Sequence, residues 1–487
     1  MGVHCKESQR FWRCTMLPLV EYPEIVKHYA PAFRNVFSAE AYIEFQRYIS
    51  GLIVCHNKTV DSINRLMVVE NRNQTSLNRL LTRSPFSLGA VNQARLQMLA
   101  ELDGTRMKAK GVLSIDDTLL THYGQQFEHI AKLYDHVTES YVWAHNLVTL
   151  HYSDDQTDYP VLFQLWQPVD LEKLEAGMRA AGVPIKTSKE ALKESAPAKW
   201  RSYLVGVWQR RCHQYPEIRP LYASKLDIAQ ALVREWVKAH PERTWPVTFD
   251  SWYTQPDFCR FLDQELHVPY VGTLEEKNVL VLQDGQKTVG QFAAQLKQEH
   301  LEALKAGGDP VFQPLTITYK GESETYFSYC NTHRVHNYGK QRLVINHRQA
   351  DLTDNPTFLI SNRRSWKARG ITRIRRHRWP VEVYHEEGKA EGLDQYQLRS
   401  FSAIQRHIAL VAVVYSMLRA AQYDTRLHNE LQRQLEMELK GHHPAAWRRA
   451  AQAQSLWSLA LVISAGWARG HSLQTIMAPL LRAVYSG

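Results

Sequence analysis

Val112-Leu113-Ser114-Ile115-Asp116-Asp117-Thr118 is a short apolar run ending in acid, and the pattern returns as Pro246-Val247-Thr248-Phe249-Asp250-Ser251. Both stretches read as β-strands that deliver a carboxylate to their C-terminal end, where an α/β sheet leaves room for a ligand. Aspartate after a strand is also an ordinary turn or helix cap, so neither site decides anything alone. Outward from the first acid, strand-like text lies at 141–151 and 159–166, followed by mainly helical text over 171–240. Further candidate strands stand at 279–282, 315–319, 325–329, 343–346 and 358–361. Toward the N-terminus, Tyr42, Phe45, Ile49, Leu52 and Ile53 keep a helical period behind a Ser38 cap. Segments 60–69 and 75–81 make a helix pair that suits either a plain bundle or a recognition helix in a DNA groove. After Arg378 the text is again helical, so the expected fold class is α/β with helical regions at both ends.

The chain has 487 residues, enough for about two to four domains. Its 44% hydrophobic and 22% charged residues exclude a disordered, collagen-like or coiled-coil protein. Lys and Arg number 59 against 49 Asp and Glu, a surplus of +10 that favours polyanionic partners without specifying a sequence. The longest apolar run, 408–418, is shorter than the ~20 residues of a membrane span and reads as a buried helix. Residues Met1 to Met16 mix His4, Lys6, Glu7 and Arg10 and build no signal-peptide core, and Lys6 stands where a myristoylation motif wants Ser or Thr. A cytoplasmic location without a membrane partner is therefore expected. The cysteines Cys5, Cys14, Cys55, Cys212, Cys259 and Cys330 form no C-x-x-C pair, which excludes a zinc finger or disulfide framework. The sequons at Asn57 and Asn73 are then chance matches.

A third element adds to the two aspartates. In Arg378-Trp-Pro-Val-Glu382-Val-Tyr-His385-Glu-Glu-Gly-Lys389, Pro380 suits the start of a helix. Helical geometry then puts Arg378, Glu382, His385 and Lys389 on one face. An exposed Arg–Glu pair at this spacing usually means little, yet a carboxylate between cations also suits a metal ligand beside bound phosphate. Just upstream, Arg363, Arg364, Lys367, Arg369, Arg373, Arg375 and Arg376 follow one another with no acid between them. Trp366 inside this run offers a platform on which a base can stack, with Tyr326 and Phe358 as alternatives.

With Asp117-Thr118 and Asp250 upstream, the spacing R-x3-E-x6-K at Arg378, Glu382 and Lys389 resembles the DDE transposases of bacterial insertion sequences. It looks closest to insertion-sequence family 701, a relative of family 4, and 392–399 also looks like this family. Arg375 stands where the family signature has Tyr. The resemblance implies a ribonuclease-H-like core, 109–265 and 373–425, interrupted by a β-rich insertion, 266–372. It further implies an N-terminal helical DNA-binding region, 1–108, and a C-terminal helical region, 426–487, that pairs subunits into a homodimer on DNA.

By the same resemblance, Asp117, Asp250 and Glu382 would hold two Mg²⁺ or Mn²⁺ ions and act as the catalytic residues. The family pattern of Asp directly before Thr selects Asp117, with Asp116 on the opposite strand face as its alternate. Arg378 and Lys389 would clamp phosphates of double-stranded DNA, both transposon ends and target. Arg363, Arg364, Trp366, Lys367, Arg375, Arg376 and His385 complete the expected DNA-binding set, His385 as a proton shuttle or a structural neighbour. Glu386 and Glu387 are fallback carboxylates. The rival expectations are a ribonuclease-H-like nuclease that cuts without joining, and a domesticated DNA-binding protein. A bacterial, nucleoid-associated cytoplasmic location completes the expectation.

Overall fold

A computed structural model describes residues 18–69, 72–439 and 443–485; the stretch Met1 to Met16, with Cys5 and Cys14, lies outside the described residues. The first acid-tipped run becomes β1, Val112–His122, which continues past both aspartates. It is followed by β2 (Ala131–Asp135), β3 (Ser140–Ser153) and β4 (Asp158–Trp166), and the second acid-tipped run is β5 (Val247–Phe249). After it come β6 (Tyr270–Leu274), β7 (Val279–Leu282), β8 (Gly285–Thr288), β9 (Gln313–Tyr319), β10 (Glu322–Val335), β11 (Gly339–His347) and β12 (Thr357–Ser361).

All twelve strands join one mixed sheet in the order β2-β3-β1-β5-β6-β12-β11-β10-β7-β8, with β4 on β3 and β9 on β10. β1, β3 and β4 pair antiparallel, whereas β5 lies parallel to β1 and β6 parallel to β5. The segment 266–372, expected as an insertion, therefore extends the central sheet edge to edge, because its β6 pairs with β5 and its β12 with β6. Within it lies a helix, Val289–Lys305, that the β-rich reading passed over. Thr288 and Gln291 form its capping box, a local signal that was present in the sequence.

Helices cover both faces of the sheet. Ser114 and Asp116 of β1 pair with His151 and Thr149 of β3, and strand alternation puts these four on one face. The helix Trp379–Ala390 packs there, with the Tyr384 ring 5.8 Å from His151 and His385 Nε2 3.1 Å from Thr149 Oγ1. Over β3 and β4 lies the helix Lys225–Ala239, begun by the Ser224–Asp227 capping box. Between these layers and the N-terminal helices runs Phe401–Ala421, long and apolar enough to cross a membrane but mostly buried inside the protein. The helix Ala39–Val54, capped by Ser38, packs on it and shares its core. Residues 171–222 form a small helical unit whose core is separate, built on Trp200, Leu204 and Trp208.

Candidate active site

Parallel pairing of Ile115 with Phe249 makes Asp116 and Asp250 the next residues of two neighbouring strands. Asp250 is held by its own turn: its Oδ1 accepts from Tyr253 N–H at 3.1 Å, and its carbonyl accepts from Thr254 Oγ1 at 2.7 Å. β6 lies close against this turn, since a Cβ on Gly272 would come within 2.8 Å of both Phe249 Cε2 and Thr254 Oγ1. Glu382 occupies the first turn of its helix and Arg378 the position before it. Arg378 Nη1 donates to Asp116 Oδ2 at 2.8 Å, and its Nη2 donates to Glu382. One guanidinium thus links a carboxylate on the sheet to one on the helix. Burial pushes the Asp116 carboxyl up to about 7; Arg378 opposes the rise, and the charges of Asp250 and Asp117 add to it.

Asp117, the expected catalytic aspartate, belongs to a different set. It accepts from Asn146 Nδ2 at 2.5 Å, from Tyr253 Oη at 2.7 Å and from Lys225 Nζ at 2.9 Å. The Lys225 ammonium also sits 4.0 Å from the centre of the Trp252 ring. In place of Asp117, then, the structure brings Asp116 together with Arg378 and Glu382. The physical reason is the pleat: consecutive side chains of β1 point to opposite faces, and the Glu382 helix covers only one. Among the described residues, no group of three or more His, Cys, Asp or Glu side chains stands close enough to hold a metal ion. Asn146, Lys225 and Tyr253 had no signal in the sequence, because their partner lies 29, 108 and 136 residues away.

The remaining expected residues divide. Arg375 points inward, its Nε donating to Thr273 Oγ1 at 3.1 Å, and burial beside Arg378 lowers its pKa to about 10. Arg376 pairs with Glu324, and Lys389 is half-buried within reach of the charges of Asp394 and Asp135. His385 is buried with its Nε2 3.1 Å from Thr149 Oγ1, and desolvation drives its pKa down to about 3, which favours the neutral imidazole. Trp366 is half-buried against the cluster of Val271, Val344, Leu359 and Ile371, and Tyr326 and Phe358 are buried. Arg364 and Lys367 are exposed, while Arg363 donates to the His267 carbonyl at 3.0 Å. Of the fallback carboxylates, Glu386 is exposed and Glu387 lies against His443.

Beside Arg378 opens a cavity of about 970 Å³ between the β9–β10 hairpin and the start of the Glu382 helix. Lys320, Arg348, Arg375, Arg376, Arg378 and Arg419 line it, with Trp379 at its rim and the acids Asp158, Glu322 and Glu324 between them. A second cavity, about 860 Å³ between the helices Leu88–Glu101 and Lys225–Ala239, is mainly apolar and does not include the carboxylates. The first has the cations, and through Arg378 it adjoins Asp116 and Glu382.

Hard oxygen donors at Asp116, Asp250 and Glu382 suit a divalent ion such as Mg²⁺. The fit has a structural sign, since the cationic side chain of Arg378 already bridges two of them. No curated protein matches the chain. A family model described as DDE superfamily endonuclease matches residues 32–291, a stretch that contains Asp116, Asp117 and Asp250 and ends before Glu382. That match spans more than half of the 487 residues, and with the carboxylates arranged as above the chain belongs to the DDE superfamily of endonucleases.

Proposed function

We propose that the protein is a DNA transposase that binds the inverted repeats at transposon ends, cleaves there and joins the 3′ ends to target DNA. The observation that carries this reading is the placement of Asp116 beside Asp250, joined to Glu382 through Arg378, at the edge of a cavity lined with arginines. A ribonuclease-H-like core is supported by the sheet order, three antiparallel strands β4-β3-β1 continued by the parallel β5 and β6. The spacing R-x3-E-x6-K supports a likeness to insertion-sequence family 701, although the Tyr position holds the half-buried Arg375.

Asp116, Asp250 and Glu382 would hold Mg²⁺ or Mn²⁺, which when bound supplies an activated water or 3′-OH and neutralises charge on the scissile phosphate. Arg375, Arg376 and Arg378 would orient and neutralise phosphate oxygens, the main contribution a protein makes to phosphoryl transfer. Glu382 enters from a helix already stapled to the sheet, which keeps its reach short. Exposed Leu456, Trp457, Leu461 and Trp467 on the C-terminal helix Pro444–Ala468 support pairing of two copies on DNA. The site of action would be the bacterial nucleoid in the cytoplasm. A domesticated DNA-binding protein is the second reading, favoured by the absence of a three-carboxylate group among the described residues.

The test is end cleavage and joining on a short duplex carrying the native terminus, in Mg²⁺ or Mn²⁺. Glu382→Gln should bind that DNA and lose both reactions. If Glu382→Gln keeps wild-type activity while Glu386→Gln is dead, the helix register is wrong. If the wild-type chain binds ends and never cuts, the second reading stands.

A further inference from the structure

We propose that Arg378 is an internal cation that keeps the Asp116–Glu382 pair closed to divalent ions until a DNA phosphate draws it away, so that DNA and metal bind with positive coupling. This rests on the endonuclease reading of the same carboxylates. In the free protein the guanidinium fills the space between them, 2.8 Å from Asp116 Oδ2 on one arm and bonded to Glu382 on the other. An ion entering between these carboxylates would meet that guanidinium at contact distance, where like charges repel strongly in a partly desolvated site.

A way out for Arg378 is also present. Its side chain lines the 970 Å³ cavity together with Arg375, Arg376 and Arg348, the place where a phosphate backbone would enter. Its Nε is buried and bonds nothing, leaving a donor free for a new acceptor. A phosphate offers that fork two oxygens in parallel, a geometry as good as the one it leaves. Once Arg378 turns to phosphate, Asp116 and Glu382 are left facing each other without a counter-charge, and their demand for a cation rises. Linkage makes the effect mutual: whatever factor DNA adds to metal affinity, metal adds to DNA affinity. Lys225 provides a built-in control, because it neutralises the adjacent Asp117 in the set that excludes Glu382.

The experiment follows Mn²⁺ binding to the full chain by electron paramagnetic resonance, with and without a short duplex carrying the native terminus. Wild type should bind Mn²⁺ weakly alone and at least about tenfold more tightly with DNA. Arg378→Gln and Arg378→Met should bind the ion without DNA at least about tenfold more tightly than wild type does, whereas Lys225→Met tracks wild type. Two neutral variants guard against one of them misfolding, which circular dichroism would report. Wild-type affinity in both folded Arg378 variants overturns the proposal, as does tighter binding in Lys225→Met instead. If no folded form binds Mn²⁺ even with DNA present, the endonuclease reading beneath it fails as well.

Discussion

Asp116 and Asp117 differ in the set of side chains each one meets, Arg378 for the first and Asn146, Lys225 and Tyr253 for the second. Asp116→Asn deletes the charge that pairs with Arg378 and should lower end cleavage on the order of a thousandfold or more. Asp117→Asn should lower it far less, about tenfold, while costing roughly 1–2 kcal/mol of stability through the Lys225 and Tyr253 bonds. Cleavage rates and urea unfolding of the two variants, measured side by side, check this; equal loss of cleavage in both would return Asp117 to the site. A second residue-scale expectation concerns Glu387, whose carboxylate accepts no aligned hydrogen bond although His443 Nε2 lies 2.6 Å from Oε1. Burial raises its pKa from an ordinary 4.5 to about 7, with Arg419 and Arg448 opposing and Asp158 and Glu391 reinforcing. The folded state therefore keeps a proton that the unfolded state releases between those values, so this group's stabilisation is complete below pH 4.5 and is lost as pH rises through 7. Glu387→Gln should match wild type near pH 4.5 and exceed it by roughly 2–3 kcal/mol at pH 8. Parallel stability curves for the two proteins would contradict the assignment.

At the scale of elements, the basic run that ends at Arg378 is less uniform than its composition. The helix Ala368–Arg376 buries Ile371 and Thr372 and directs Arg375 inward, and Trp366 just before it closes a small apolar cluster. Trp366→Ala should therefore cost about 2–3 kcal/mol in unfolding free energy, as expected for truncating a half-buried aromatic. Its effect on DNA affinity should stay within about twofold. A variant of normal stability that binds or cuts DNA poorly would restore the stacking role. The β9–β10 hairpin is tied down in a similar way. Lys320, at its turn with a φ of 49°, reaches Asp158 of β4 at 2.5 Å, where Arg419 of the long central helix also bonds at 2.7 Å. Hairpin, sheet and helix meet on one buried carboxylate, so the cavity between them has a fixed wall.

Across the whole molecule the charge surplus is +10, and six Lys and Arg side chains line the cavity beside Arg378, itself among them. Replacing Arg363, Arg364 and Lys367 together should reduce the salt dependence of DNA binding by about one unit of log–log slope for each side chain that contacts a phosphate. Since Arg364 and Lys367 are exposed and Arg363 is engaged with the His267 carbonyl, the expected reduction is about two. A titration series across salt concentrations measures it, and an unchanged slope would show the run to be an ordinary solvated face. The sheet matters at this scale too. Because β5, β6 and β12 are consecutive strands of one sheet, 266–372 cannot move independently of Asp250 without breaking ladder hydrogen bonds.

Local chemistry was legible in the sequence. The Ser38 cap, the second acid-tipped strand and the i, i+4 pairing of Arg378 with Glu382 each depend on residues within one turn or one strand, and each is present in the structure, whereas the first strand runs on past Asp116 and Asp117 to His122, held by its pairing with β3. Thr288 and Gln291 were equally local, and their helix went unread only because strand-rich text surrounds it. Other features needed the tertiary structure. Which of Asp116 and Asp117 shares a face with Glu382 follows from what packs on each side of β1, namely a helix more than 250 residues later in the chain. Whether Trp366 stacks on a base or fills a core depends on strands β6, β11 and β12 converging beneath it. Helix and cap geometry is set by neighbours along the chain, so composition and spacing determine it. Strand facing and register are set by partners distant in sequence, and only the folded chain brings those partners together.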